Sequence, residues 1–368
     1  MAAGVAAPGW QMWREPSRGA FPDPRLFLLP AALRELAGER GKWPPPPLSR
    51  LTGIVYASAD EESTVWTQPV TQHLLSSQGT VPGGLLAVIA DMALGSVVGR
   101  TLPSRTMFST SEMSFNFTQP ATMASGEITA VGSLTAVQGR LALSRCVISG
   151  SDGGVLAQAT ARNVVAKQLP ESAPGPDLAD AAAVDAFIDS LALPEAIVDV
   201  TPDPYLRATA GVVLPREAWG AGGLAVLQAQ IAGELPMPPV HHLTGIRPTA
   251  ASEGVVSFAM PASGWLASGF PSVQGGFLAF LAYSALASAV QTTTLPGEAH
   301  VPVDLKINLL RPVFPDAELR DLTATGRVIH RGRTLSVADA EVRGVDGQVV
   351  AVGRGTSMLT TELDVPSA

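Results

Sequence analysis

The sequence predicts an α+β protein of two tandem units, each an antiparallel sheet wrapped around one central apolar helix. Three observations carry this. The chain, at 368 residues, is longer than one domain usually runs. It repeats itself at a nearly fixed offset. Each copy offers one helix-length apolar run, followed by several short segments rich in Val, Thr, Ile and Phe with turn signals between them.

The repeat governs every later assignment. The tetrapeptide LTGI stands at Leu51 to Ile54 and again at Leu243 to Ile246, an offset of 192. The same offset aligns SSQGTVPGGLLAVIADMAL (Ser76 to Leu94) with SGFPSVQGGFLAFLAYSAL (Ser268 to Leu286), and MSFNFTQPA (Met113 to Ala121) with LKINLLRPV (Leu305 to Val313). Past a short insertion, Gly139-Arg140 meets Gly332-Arg333 and SDGGVLAQA (Ser151 to Ala159) meets VDGQVVAVG (Val345 to Gly353). Chance does not produce such a series.

The elements follow in order. Residues 1–24 read as an irregular arm, in which Trp10 and Trp13 argue for docking. The first unit, 25–168, opens on an apolar stretch, Arg25 to Ala37, and the cluster Pro44 to Pro47 must stop any helix there. A strand is expected after LTGI. Gly83-Gly84 then starts a helix over Leu85 to Val98, and a long antiparallel meander completes the unit. Residues 169–205 read as a linker with a short helix at Asp180 to Leu191. The second unit, 206–368, repeats the plan: Gly223 to Gly233, Pro236 to Pro239, LTGI, Gly275-Gly276 and a helix over 277–290.

Composition narrows the function classes. Hydrophobic residues make up 46% and charged residues 15%, with mean hydropathy +0.25, the profile of a core-rich globular protein. A net charge of −8 and the lack of a Lys/Arg run argue against a nucleic-acid partner. Cys146 is the lone cysteine, which forms no internal disulfide and suits a reducing compartment. Neither a signal-peptide core nor a run of about 18 apolar residues stands in the sequence, so a cytoplasmic protein without a membrane partner is expected. The doublet His241-His242 would point to opposite faces of a strand, a poor metal pair, and no metal is expected. A GxSxG elbow and a GK[ST] phosphate loop are both missing.

One residue stands out. LLAVIADMALGSVV is apolar on every face, as a core helix is, yet it carries Asp91. Burying a carboxylate there costs several kcal/mol unless it is hydrogen-bonded or functional. The second copy, FLAFLAYSALASAV, has Tyr283 at the aligned position, so the fold itself does not require an acid. That contrast favours function over a purely structural role. The glycine pair ahead of each helix leaves backbone N–H groups open to a ligand that gains negative charge, as a carbonyl oxygen does in acyl transfer.

SSQGTVPGGLLAVIADMAL followed by STSEMSFNFTQPA resembles the signature of hotdog-fold thioesterases of the phenylacetate-pathway (PaaI-like) type. That signature is a His-Gly-Gly turn, an apolar helix with an acid eight residues after the first Gly, and a later strand ending near Pro. The resemblance implies a tandem, or double, hotdog that hydrolyses an acyl thioester of coenzyme A or of an acyl carrier protein. It also implies sites shared between paired units. Asp91 would act as general base or nucleophile, the Gly275 N–H would polarise the thioester carbonyl, and Thr110 would position water. Ser268 holds the place of the usual Asn or Gln, and Gln274 and Pro82 stand where the signature has His. Gly276, Gln274, Gly83 and Gly84 are implied substrate contacts, with Met92, Phe277 and Phe280 as candidates for the acyl pocket. The reciprocal site, Tyr283 and Pro302 with Ser76 and Gly83, lacks a base and is expected to be inert. Beyond the coenzyme A part of the substrate no cofactor is implied, and fused pairs of this kind commonly assemble further into homo-oligomers.

Two other readings compete. A protein that binds acyl thioesters without hydrolysing them would account for the lost signature His and the second, missing acid. A hotdog hydratase would need a His beside a carboxylate, and the candidates are His73, His241, His242, His300 and His330.

Overall fold

The computed structural model describes residues 11–165, 176, 179–192 and 201–360. The first unit runs α1 (Ala31–Glu39), α2 (Pro47–Thr52), β1 (Val55–Ala59), β2 (Ser63–Pro69), α3 (Gly83–Thr101), β3 (Phe108–Phe117), β4 (Glu127–Gln138), β5 (Leu141–Ser149) and β6 (Val155–Val165). After α4 (Ala181–Ser190), the second unit runs α5 (Gly223–Ala232), α6 (Pro239–Thr244), β7 (Arg247–Ser252), β8 (Val255–Pro261), α7 (Gly275–Gln291), β9 (Ala299–Pro302) and β10 (Asp304–Leu309). It closes with β11 (Asp321–Arg331), β12 (Leu335–Arg343) and β13 (Val349–Thr360).

All the strands join one antiparallel sheet in the order β1-β2-β4-β5-β6-β3-β10-β13-β12-β11-β8-β7, with β9 also on β13. Two half-sheets meet where β3 pairs with β10, from Asp304 opposite Asn116 to Asn308 opposite Glu112. Each half-sheet curls around its own long helix, and the two helices pack against each other. This is a tandem hotdog. The expected meander holds for β4-β5-β6, but β3 leaves it, pairing with β6 on one side and with the other unit on the other. An alternation of apolar and polar residues records which face a strand buries, not which strand lies beside it, so this crossover left no mark in the sequence.

The central helices begin on their glycines and outrun the predicted spans at both ends. By length and composition α3 would cross a membrane, yet its apolar faces are covered by β2, β4, β5 and α7, the environment of a core helix. The proline clusters do more than end a helix. Pro47 and Pro239 occupy the first turns of α2 and α6, where a missing N–H costs nothing. Both short helices end on the repeated LTGI: Thr52 and Thr244 donate back to the carbonyls of Leu48 and Val240, and Gly53 and Gly245 take the left-handed cap at φ of 79° and 78°. The motif is therefore a helix stop, and only the residues after it form a strand.

The two units exchange contacts. Leu48 N–H donates to the Ala267 carbonyl, and its counterpart Val240 donates to the Leu75 carbonyl, the same bond displaced by one repeat. The arm docks on the second unit, with Met12 and Trp13 buried and the Trp13 carbonyl accepting from Ser263. Trp10 lies outside the described residues. The linker helix α4 is held against α1 by a satellite core of Leu26, Leu29, Leu33, Ala37, Val184, Ile188 and Leu191, so this part of the linker is packed structure. Cys146 is buried in β5, where desolvation pushes its thiol up to about 12 and keeps it protonated.

Candidate active site

The site lies where the N-terminus of α7 meets the middle of α3. Small residues allow the approach: a Cβ on Gly276 would stand 2.5 Å from the Val88 Cα and 2.6 Å from the Ala87 carbonyl oxygen. Asp91, one turn further along α3, thereby comes against the first amides of the other unit's helix. Gly276 N–H donates to Asp91 Oδ2 at 3.2 Å, and the Gly275 amide acts in the same direction. From β3, the Thr110 hydroxyl lies 3.1 Å from Asp91 Oδ1. Asp91, Thr110, Gly275 and Gly276 are thus gathered in one place from two units and 185 residues of sequence separation.

Burial dominates the electrostatics. Desolvation raises the Asp91 pKa to about 6, and the bonds from Thr110, Gly276 and Gly275 only partly offset it. The positive end of α7 faces the carboxylate, which also favours the anion. A carboxyl group poised there is largely ionised at neutral pH and still basic enough to take a proton from water.

The other expected residues are placed differently. Gln274 caps α7 and is buried; its Nε2 donates to the Val88 carbonyl at 2.8 Å, which ties α7 to α3, and its Oε1 has no partner among the described residues. Ser268 is half-buried beside the bridge between Ala267 and Val273, with no side-chain hydrogen bond to Asp91. Phe277 is fully buried in the core, and Met92 packs half-buried against that core. Phe280 faces the reciprocal cavity, away from the Asp91 side. Helical periodicity places an aromatic on the helix but does not say which side of a helix pair will hold space.

That reciprocal cavity, about 120 Å³, is lined by Ser76, Pro82, Phe280, Tyr283, His300 and Pro302 among others, and its lining contains no carboxylate among the described residues. Tyr283 fills the place of Asp91. Its Cβ stands 2.5 Å from where a Cβ on Gly84 would be, its ring meets Phe117 edge-on, and its hydroxyl accepts from the Gly83 N–H. Burial pushes the Tyr283 phenol up to about 12 and His300 down to about 4, so both stay neutral at neutral pH. His241, on the same cavity, is pushed down to about 3 by burial and by His242 beside it. His73 is buried with Nε2 on the Arg207 carbonyl. No group of three or more His, Cys, Asp or Glu is arranged to hold a metal among the described residues.

Asn163 was not anticipated. It lies on β6 directly opposite Thr110, wholly buried, with its side-chain oxygen 3.2 Å from the Thr110 hydroxyl. In β6 the exposed Gln158, Thr160 and Arg162 alternate with the buried Ala159 and Ala161, and Asn163 falls on the buried phase, the signal that could have found it; its partner Thr110 shows only once β3 is paired with β6.

Comparison with known proteins agrees with this architecture. The model of the thioesterase superfamily matches the chain twice, at residues 78–157 and 271–351, once in each unit. Among solved structures, a TesB protein from Mycobacterium avium subsp. paratuberculosis superposes with a TM-score of 0.52 at 10% identity, covering 85% of this chain and 98% of that one. A hot dog fold protein from Alicyclobacillus acidocaldarius does so with a TM-score of 0.50 at 15% identity, covering 86% and 98%. At such identities the likeness is one of fold. No curated protein matches the chain.

Proposed function

We propose that this chain, which the thioesterase-superfamily model matches once in each unit, is an acyl-thioester hydrolase with one working site, built on Asp91 of the first unit and the helix start of the second. The observation that carries the reading is the pairing of a carboxylate of raised pKa with the Gly275-Gly276 amides across the repeat boundary. The thioester carbonyl oxygen would accept from the Gly275 N–H, which strengthens as that oxygen gains charge. Asp91 takes a proton from a water molecule whose oxygen attacks the carbonyl carbon. The tetrahedral intermediate collapses with cleavage of the C–S bond, and the departing thiolate recovers the proton from Asp91. The products are a carboxylic acid and a free thiol. Thr110 holds the carboxylate through Oδ1, leaving Oδ2 to face the helix start.

The substrate is an acyl thioester, either the small-molecule ester of coenzyme A or that of an acyl carrier protein, and the protein works in the cytoplasm without a metal. The reciprocal half supplies no base, since Tyr283 stands as a neutral phenol with its hydroxyl on Gly83. The competing reading is binding without turnover. Release of free thiol from a panel of acyl-CoA esters, followed with a thiol reagent, separates the two. Turnover well above the buffer rate on at least one ester is expected; binding of the panel with no release above buffer would leave only the binding reading.

A further inference from the structure

The Thr110 hydroxyl lies between two oxygens, Asp91 Oδ1 at 3.1 Å and Asn163 Oδ1 at 3.2 Å. It has one proton to give. At the same time Asn163 Nδ2 is buried with no partner among the described residues, although Asn163 is 0% exposed. A buried amide N–H group without an acceptor is costly, roughly 1–3 kcal/mol. Oxygen and nitrogen of a side-chain amide are interchangeable in shape, and the hydrogen-bond network decides between them. Turned over, the amide donates from Nδ2 to Thr110 Oγ1, and the Thr110 proton is left with Asp91 as its acceptor. The competition for the Thr110 proton is removed, and the partnerless buried position passes from an N–H donor to a carbonyl oxygen, the less costly group to leave unpaired.

The second unit supplies a control. Asn163 faces Thr110 across β6 and β3, and at the equivalent register Ser357 faces Pro302 across β13 and β9. Where Asp91 is replaced by Tyr283, Thr110 is replaced by Pro302 and Asn163 by Ser357. Ser357 is as buried as Asn163, so the strand does not itself demand an amide. The three changes fall together on the side that lacks the acid.

We infer that Asn163 is a positioning residue, donating to Thr110 so that the Thr110 hydroxyl is committed to Asp91 and the carboxylate is held as an oriented base. This rests on Asp91 being the base, and it deepens that reading. Chains of donors of this kind polarise one another, so the Thr110 bond to Asp91 is stronger than it would be alone. The groups facing the carboxylate are the Thr110 hydroxyl from β3 and the Gly275 and Gly276 amides from α7, with no ionised side chain contributing to its titration.

The test is the titration of Asp91 in the full chain, followed by carboxyl carbon NMR, with Asp91→Asn used to assign its resonance. In Asn163→Leu the pKa of Asp91 should rise by about half a unit or more, because a bond that favours the anion is weakened. In a Thr110→Val background the same substitution should add nothing, the coupling expected of residues acting through one another. Asn163→Ser, carrying the residue that the second unit keeps at this register, should move the pKa in the same direction and stands in should Asn163→Leu fail to fold. On an ester that the wild type hydrolyses, kcat should fall several-fold with KM unchanged, the mark of lost transition-state stabilisation. A fall in the Asp91 pKa would show Asn163 to be a competing acceptor, and an equal rise in the Thr110→Val background would show an independent structural effect. Either result overturns the proposal. Full activity in Asp91→Asn would instead overturn the Asp91 reading and leave the titration result standing.

Discussion

At the scale of the residue, Asp91 is held at a thermodynamic disadvantage that its role explains. Its pKa in the folded chain, about 6, lies above the ordinary carboxylate value of 3.8. The folded state therefore binds the proton more tightly than the unfolded state, and the associated stability is present below about pH 4 and lost as pH rises through 6. At pH 8 the ionised Asp91 costs on the order of 3 kcal/mol relative to a neutral isostere. Asp91→Asn should accordingly raise the melting temperature at pH 8 and leave it unchanged near pH 4, which thermal melts at the two pH values would check. In the wild type, thiol release should fall tenfold per pH unit below about 6, as the base form is lost. A lone acid in an apolar helix was legible in the sequence, because the apolar residues flanking it in the helix already imply a desolvation cost. Asn163 was not: its meaning comes from standing opposite Thr110, and a cross-strand neighbour is invisible until the strands are paired.

At the scale of the element, the decisive feature is the crossing of α3 and α7. Each helix start is aimed at the middle of the other. A Cβ on Gly275 would meet the flexible end of Leu309 at 2.6 Å and Asp91 Oδ2 at 3.1 Å, whereas one on Gly276 would meet the backbone of α3 at 2.5 Å. The two substitutions should therefore separate. Gly275→Ala can be relieved by Leu309 and should keep the fold while lowering kcat, by crowding the carboxylate. Gly276→Ala forces the helices apart and should cost about 1–3 kcal/mol of stability, the scale of overpacking in a dense core. Denaturant melts together with steady-state kinetics on both variants would show the split. The glycine pairs and the eight-residue spacing to Asp91 were readable in sequence. That Phe280 would turn towards the reciprocal cavity and Phe277 into the core was not, because both lie on an all-apolar helix whose moment singles out no face.

At the scale of the whole molecule, duplication gives the chain two equivalent places and lets them diverge. On one side Asp91, Thr110 and Asn163 converge on the second unit's helix start. On the other, Tyr283 takes the place of the acid, and Pro302 and Ser357 replace the polar pair. The repeat itself was legible because aligned motifs keep a constant offset. The joining of the half-sheets through β3 and β10 was not, nor was the place where the arm docks, although Trp13 had signalled that it docks; both depend on contacts between distant segments that no local pattern records. The most direct test compares the wild type, Asp91→Asn and Tyr283→Phe side by side on the acyl-CoA ester that the wild type hydrolyses fastest. Asp91→Asn should lose about 10²–10⁴-fold in kcat, the range for removal of a general base, with Tyr283→Phe staying close to the wild-type rate. Wild-type turnover by Asp91→Asn, or its loss in Tyr283→Phe alone, would contradict a single working site centred on Asp91.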